Sequence, residues 1–298
     1  MAVMVAALEQ ALAQDIETLP WMTDPTKKKG LEKLRAIANK VGYPDRWRDY
    51  TTVKILRDDA VGNAARAAAY EFKRDLAKIG KPVDRGEWQM SPPTVNAYYS
   101  PLLNDINFPV GILQPPFFDN AMDDAVNFGG IGAVIGHELT HGFDDSGRKF
   151  DAQGNLQDWW TEADGKAFVE RAQCIDDQYA GYTAVEDVKL NGKLTLGENT
   201  ADNGGLRIAH MALMSTLAGK TPAPIDGFSA DQRLFLGWAQ IWCQNATPEV
   251  SRMLAQTDPH SPGRYRVNGT VSNMPEFQKA WQCKAGDAMV SAKPCRVW

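Results

Sequence analysis

The 298-residue sequence predicts a mainly α-helical fold with a small β-sheet, in the α+β class. Three observations carry this. Apolar residues recur at spacings of three and four over several long windows. One short segment before residue 101 has strand composition. A proline-rich apolar run at 108–118 cannot sit inside a helix.

Taken in order, Val3–Leu19 reads as an amphipathic helix. Its apolar stretch has no cationic start and is interrupted by Glu9, so it is not a secretory signal. Thr23, followed by Pro25, marks a helix start, and the run Lys27–Lys29 reads as that helix's solvated face. Leu31–Val41 and Val61–Ile79 carry helical spacing, so residues 1–88 are expected to be a helical segment. The character changes over 89–118. Thr94–Ser100 reads as a strand, and 108–118 as a short strand followed by an ordered loop able to wall an apolar pocket. Helical spacing returns over Gly130–Phe143. A turn-rich loop follows at 144–160, ending in Trp159 and Trp160. Helices are expected at 161–179, 197–217 and 229–244, and turns with one or two short helices from Asp258 onward. No repeat or low-complexity linker interrupts the chain, so one domain is expected over 1–298.

Composition narrows the function. Hydrophobic residues make up 44% and charged residues 23%, as in ordinary globular proteins. The net charge of −5, with no basic block, argues against a nucleic-acid partner. No apolar run approaches the roughly 18 residues that a membrane span needs. The four cysteines, Cys174, Cys243, Cys283 and Cys295, form no CxxC pair. Spacing alone leaves both free thiols and disulfides open.

The chemistry concentrates in His137-Glu138-Leu139-Thr140-His141, an HExxH string in an apolar helical window. Residues four apart share a helix face, so His137 and His141 can present two imidazole nitrogens to one zinc ion. Glu138 then stands beside the first ligand as a general base toward water. No third histidine follows closely, so a carboxylate ligand is expected, the gluzincin arrangement. Glu198 is the candidate, in a helix with Asp202 one turn on. Asp202 would accept the outer N–H of a ligand imidazole. His260, on a proline-bracketed loop, can donate to an oxyanion. Arg266 can hold a substrate carbonyl through paired N–H donors. His210 has no comparable partner and reads as structural. No Cys–His arrangement supports a cysteine hydrolase.

These residues resemble the catalytic domain of the neprilysin-like zinc metallopeptidases, the group of neprilysin and the endothelin-converting enzymes. The matching blocks are VNAYYS at 95–100, FPVGILQPPFF at 108–118, VIGHELTHGFDD at 134–145, GENTADNGGL at 197–206, HSPGRYR at 260–266 and CRVW at 295–298. The resemblance implies a thermolysin-like gluzincin fold and one Zn2+ per chain on His137, His141 and Glu198. It implies Glu138 as catalytic base, Asp202 as orienting carboxylate, His260 as transition-state stabiliser and Arg266 as a substrate-carbonyl ligand. Asn96 and Ala97 match the edge segment that pairs with substrate backbone. Ile112, Phe117, Val134, Ile241 and Trp242 match an apolar pocket for the residue after the cleaved bond. Ala133 stands where the family often has Met, implying a wider pocket.

Family members are roughly twice as long, with an N-terminal helical lobe that closes over the site. Residues 1–88 would belong to or border that lobe, with 89–298 forming the zinc-site core and most of the lobe absent. A Cys174–Cys295 disulfide is implied, with Cys243 and Cys283 lacking their partners. The implied activity is hydrolysis of short peptides on the amino side of hydrophobic residues, outside the cytoplasm. In it the ion acidifies a water, Glu138 takes the proton, and His260 helps to stabilise the oxyanion. The alternative is a catalytically silent, zinc-stabilised peptide-binding domain.

Overall fold

A computed structural model describes all 298 residues. At its centre α5 (Ala133–His141) and α7 (Leu196–Thr216) form the most extensive helix pair in the molecule. Facing glycines permit the approach. A Cβ on Gly136 would lie 2.4 Å from the carbonyl oxygen of Gly205, and one on Gly205 would lie 2.4 Å from the amide nitrogen of His137. Only hydrogen fits between these backbones, so the two helices that carry the HExxH and Glu198 motifs meet face to face. Around them one core cluster runs from Val5 to Trp298.

α1 (Ala2–Thr18) packs on this pair through Val5, Leu8, Leu12 and Ile16, a stripe at helical spacing, matching the expected Val3–Leu19 helix. α2 (Asp24–Arg35) has Pro25 in its first turn. Thr23 precedes it as expected but does not cap it; its N–H and Oγ1 both donate to Asp164, at the start of α6 (Glu162–Ala180). Lys28 and Lys29 are exposed, as a solvated face requires.

The helix expected over Leu31–Val41 is corrected. It stops at Arg35, and β1 (Ala38–Gly42) follows. β1 pairs in parallel with β3 (Asp105–Pro109), with Ala38 opposite Asp105. The spacing of Leu34, Ile37 and Val41 suits a helix, but hydrogen bonding to a fully buried strand far along the chain overrides it. β2 (Tyr98–Ser100) pairs antiparallel with β3, giving the order β1-β3-β2 with β2 at an edge. The strand expected over Thr94–Ser100 is therefore shorter, and Asn96 and Ala97 lead into it. After β3, a 3-10 turn (Val110–Ile112) opens the proline-rich loop.

The remaining helices fall close to expectation. α3 (Ala60–Leu76) lies on the surface and buries no residue. α4 (Asp124–Asn127) and a π turn (Phe128–Gly132) run without a break into α5, so helical structure starts earlier than Gly130. α8 (Ala230–Ile241) begins with a capping box between Ser229 and Gln232. α10 (Gly263–Val271) and α11 (Pro275–Trp281) are the short helices of the tail. Besides β1, three elements were not foreseen: β4 (Thr183–Val185) and β5 (Val188–Lys189), which form a hairpin, and α9 (Pro248–Thr257). Cys174 on α6 is disulfide-bonded to Cys295, whereas Cys243 and Cys283 are free. No helix is long and apolar enough to cross a membrane.

Candidate metal centre and active site

The four-residue spacing on α5 brings the rings of His137 and His141 edge to face, 4.5 Å between centroids. Their Nε2 atoms are 2.9 Å apart. α7 brings Glu198 against them, with Oε2 3.2 Å from Nε2 of His137 and 3.5 Å from Nε2 of His141. The outer nitrogens face carboxylates: Nδ1 of His137 is 2.8 Å from Asp202 and Nδ1 of His141 is 2.7 Å from Asp144. An ionised carboxylate only accepts, so each Nδ1 carries the proton and each Nε2 turns a lone pair inward.

Three lone-pair donors thus converge, and Glu198 Oε2 is buried with no hydrogen-bonding partner. Facing imidazole lone pairs with neither a proton nor a cation between them, that oxygen would carry an uncompensated desolvation penalty. Tetrahedral zinc with bonds of roughly 2.0–2.1 Å places its ligand atoms about 3.3 Å apart, close to the separations seen here. The electrostatics agree. Burial disfavours charge on His137 and His141, yet Asp202, Asp144 and Glu198 outweigh it and raise both above the ordinary imidazole range. Burial pushes the Glu198 carboxyl up, but the imidazoles around it pull it far below the usual carboxylate range. The negative potential that favours protons here also favours a cation. The residues present fit zinc.

Behind His137, Asp202 is fully buried. Arg266 donates to both its oxygens, Nε at 2.7 Å and Nη2 at 2.6 Å. The guanidinium lies over the Trp242 ring, 3.7 Å from its centroid. Its paired N–H edge, expected to meet a substrate carbonyl, is therefore engaged by Asp202, and Nη1 remains for a further contact. His260 is exposed, with Nε2 3.2 Å from Glu198 and Nδ1 2.7 Å from Asp258. The next residue, Ser261, anchors that loop by donating to Asn199 Oδ1 on α7 at 2.8 Å.

His137, His141, Asp144, Glu198, Asp202, Trp242, His260 and Arg266 line one cavity of about 460 Å³. Glu138, 5% exposed, lines it, and burial raises its carboxyl above the ordinary range against the pull of the two imidazoles. Asn96 and Ala97 line it at the start of edge strand β2, with the Ala97 N–H donating to Asn96 Oδ1 at 2.9 Å. Ile112, Phe117, Val134 and Trp242 form apolar wall.

Residues 96–297 match the family model described as peptidase family M13, and residues 1–44 match its N-terminal companion. The chain belongs to peptidase family M13. It is similar to the endothelin-converting enzyme homolog of Locusta migratoria, 40% identical over 99% of this chain and 42% of that protein. It is similar also to endothelin-converting enzyme 1 of Homo sapiens, at 41% identity over 99% of this chain and 39% of the relative. Among solved structures it resembles the Mycobacterium tuberculosis zinc metalloprotease ZMP1 in complex with inhibitor. There the TM-score is 0.95 and the identity 45%, over 100% of this chain and 46% of that one. The chain thus spans less than half the length of these relatives. All the convergent residues of this M13 chain lie within 96–297, while α2 lies in the other matched stretch.

One pocket expectation is corrected. Ile241 does not line the cavity; Trp238, one turn earlier on α8, does. About the helix axis 242 lies some 40° to one side of 238, whereas 241 lies about 60° to the other side and so about 100° from 242. Ala133 is 1% exposed and is not among the residues that line the cavity. Asp144 was missed as a partner, although a carboxylate three residues after His141 was a usable signal. His210 does have a partner: it pairs with Asp231 at 2.8 Å and stacks on Phe235.

Proposed function

We propose that this chain is the catalytic part of a zinc-dependent endopeptidase, with one Zn2+ held by His137, His141 and Glu198. The observation that carries the reading is the buried, unpartnered Oε2 of Glu198 facing two imidazole lone pairs beside a carboxyl, Glu138, in the same cavity. The bound ion would supply Lewis acidity toward water and the scissile carbonyl.

The chain's own residues supply the rest. Glu138 takes a proton from the attacking water and returns it to the leaving amine; its raised affinity for protons suits both steps. His260 donates to the oxygen that gains negative charge. Asp202, held by Arg266, fixes the tautomer of His137, and Arg266 Nη1 is left to meet a substrate carbonyl. Asn96 and Ala97 extend edge strand β2 and offer backbone groups to an extended peptide. Ile112, Phe117, Val134 and Trp242, with Trp238 added, receive a hydrophobic side chain, which places cleavage on its amino side. The Cys174–Cys295 disulfide fits an oxidising compartment, so we place the protein outside the cytoplasm.

The test is a peptide with one internal Phe or Leu, followed by mass spectrometry. Cleavage before that residue, stopped by a chelator and restored by zinc, is expected. Glu138→Gln should retain zinc and lose turnover by several orders of magnitude. Peptide bound by the zinc-loaded protein but never cut would instead establish a silent binding domain.

A further inference from the structure

Lys33, on α2, is a lysine with almost no contact with water, 1% exposed. Its Nζ donates to three backbone carbonyls, Gly142 at 2.6 Å, Gly147 at 2.7 Å and Phe150 at 2.8 Å. That accounts for every proton of an ammonium group. No carboxylate touches it, but the rings of Tyr99 and Phe143 flank it at 5.7 and 5.5 Å. Burial pushes its proton affinity down to about 7, and the charges of Asp144 and Asp151 oppose that fall. A buried cation without a contacting counter-ion is costly, and such groups persist where they hold something in place.

What Lys33 holds is the loop that leaves α5. Gly142 directly follows the ligand His141 and closes the helix. Gly147 and Phe150 lie on the next turn. Between these anchored carbonyls sits Asp144. Its Oδ2 receives Nδ1 of His141, and its Oδ1 receives the amides of Ser146 and Gly147. The two ligand imidazoles are thus supported in parallel. His137 rests on Asp202, which a cation contacts directly through Arg266. His141 rests on Asp144, whose loop a cation grips through the backbone. A positive charge at the carbonyl end of α5 also opposes the partial negative charge there.

The geometry assigns Lys33 as the positioning residue for His141: by clamping the Gly142–Phe150 loop it fixes Asp144, and through Asp144 the orientation of the second histidine ligand. This rests on the metal-centre reading above, but its readout is metal affinity rather than turnover.

The experiment compares wild type, Lys33→Met, Lys33→Gln, Asp144→Asn and the Lys33→Met/Asp144→Asn double variant in the full chain. Folding is checked by circular dichroism. Zn2+ dissociation constants are measured by chelator competition, and Co2+ absorption bands report ligand geometry. Lys33→Met is expected to fold, to weaken Zn2+ binding about 10–100-fold and to shift the Co2+ bands, as loss of a partner behind a ligand does. Asp144→Asn should do the same, and the double variant should be no weaker than Asp144→Asn alone. Wild-type affinity in a folded Lys33→Met, or effects of Lys33→Met and Asp144→Asn that multiply, would overturn the assignment. So would failure of both Lys33 variants to fold, which would make Lys33 a determinant of folding. Wild-type protein that takes up no metal would overturn the metal-centre reading itself.

Discussion

Asp202 is a carboxylate with no exposure to water, held ionised by what surrounds it. Burial alone would raise its proton affinity, but the Arg266 charge and the hydrogen bonds from Arg266 and His137 keep it below the ordinary range. The two partners should respond differently to mutation. Asp202→Asn keeps the shape and loses the charge, so we expect Zn2+ affinity about 10–100-fold weaker in chelator competition. Arg266→Met removes the only cation that contacts a buried carboxylate and leaves it the His137 N–H alone, and urea denaturation should show a loss of about 3–5 kcal/mol. Equal stability of Arg266→Met and wild type would show that Asp202 does not depend on the guanidinium. At this scale the sequence was legible where a spacing brings side chains together: His137 with His141, and Glu198 with Asp202, each four residues apart. It was illegible where a role depends on which way a helix turns. Trp238 rather than Ile241 faces the cavity because packing sets the rotation of α8, and Lys33 reads as any helix lysine until its neighbours are known.

Elements meet here through glycines and one acid. Gly205→Ala would drive a methyl into the backbone at His137, so α5 and α7 must separate or the variant must unfold. Overpacking of this kind costs about 1–3 kcal/mol. Because the misfit falls at His137, thermal denaturation should show the loss and metal titration a weaker site together; a stable variant with normal affinity would mean the helices are free to shift. α2 and α6 meet through Asp164, whose carboxylate accepts from Thr23, Thr26 and Thr161. Burial raises its proton affinity, but these hydrogen bonds outweigh burial and the net direction is down. A carboxyl depressed in the folded state adds stability that is complete above its unfolded value, near 3.9, and is lost as pH falls through the lower folded value. Asp164→Ala should therefore cost about 1–3 kcal/mol at neutral pH, and the gap from wild type should narrow as both are acidified below pH 4. Helices with their own caps and periodicity, such as α6 and α8, were readable locally. β1 was not, since its strand state exists only through pairing with β3, whose first residue, Asp105, lies far along the chain.

The whole molecule is closed by its disulfide. Cys174 and Cys295 are separated by 121 residues, and that span contains α7 with Glu198 and Asp202, together with His260 and Arg266. By the chain-entropy argument, a cross-link over so long a loop restricts the unfolded chain enough to stabilise the fold by about 4–5 kcal/mol. The bond also ties down the C-terminal tail. Beyond Cys295 the chain carries Val297 and Trp298 into the core, where Trp298 packs near Trp21, Phe143, Trp160 and Phe168. A Cβ on Gly204 of α7 would come within 3.1 Å of that indole, so the tail lies directly against the helix that bears Glu198. Cys174→Ser should therefore lower the urea midpoint substantially, whereas Cys243→Ser, at an exposed free thiol, should change stability by less than about 0.5 kcal/mol. If the tail also braces α7, Cys174→Ser protein that is still folded in mild conditions should bind Zn2+ more weakly than wild type and lose residues after 290 first under limited proteolysis. Lower stability with unchanged metal affinity would confine the disulfide to its effect on the unfolded chain.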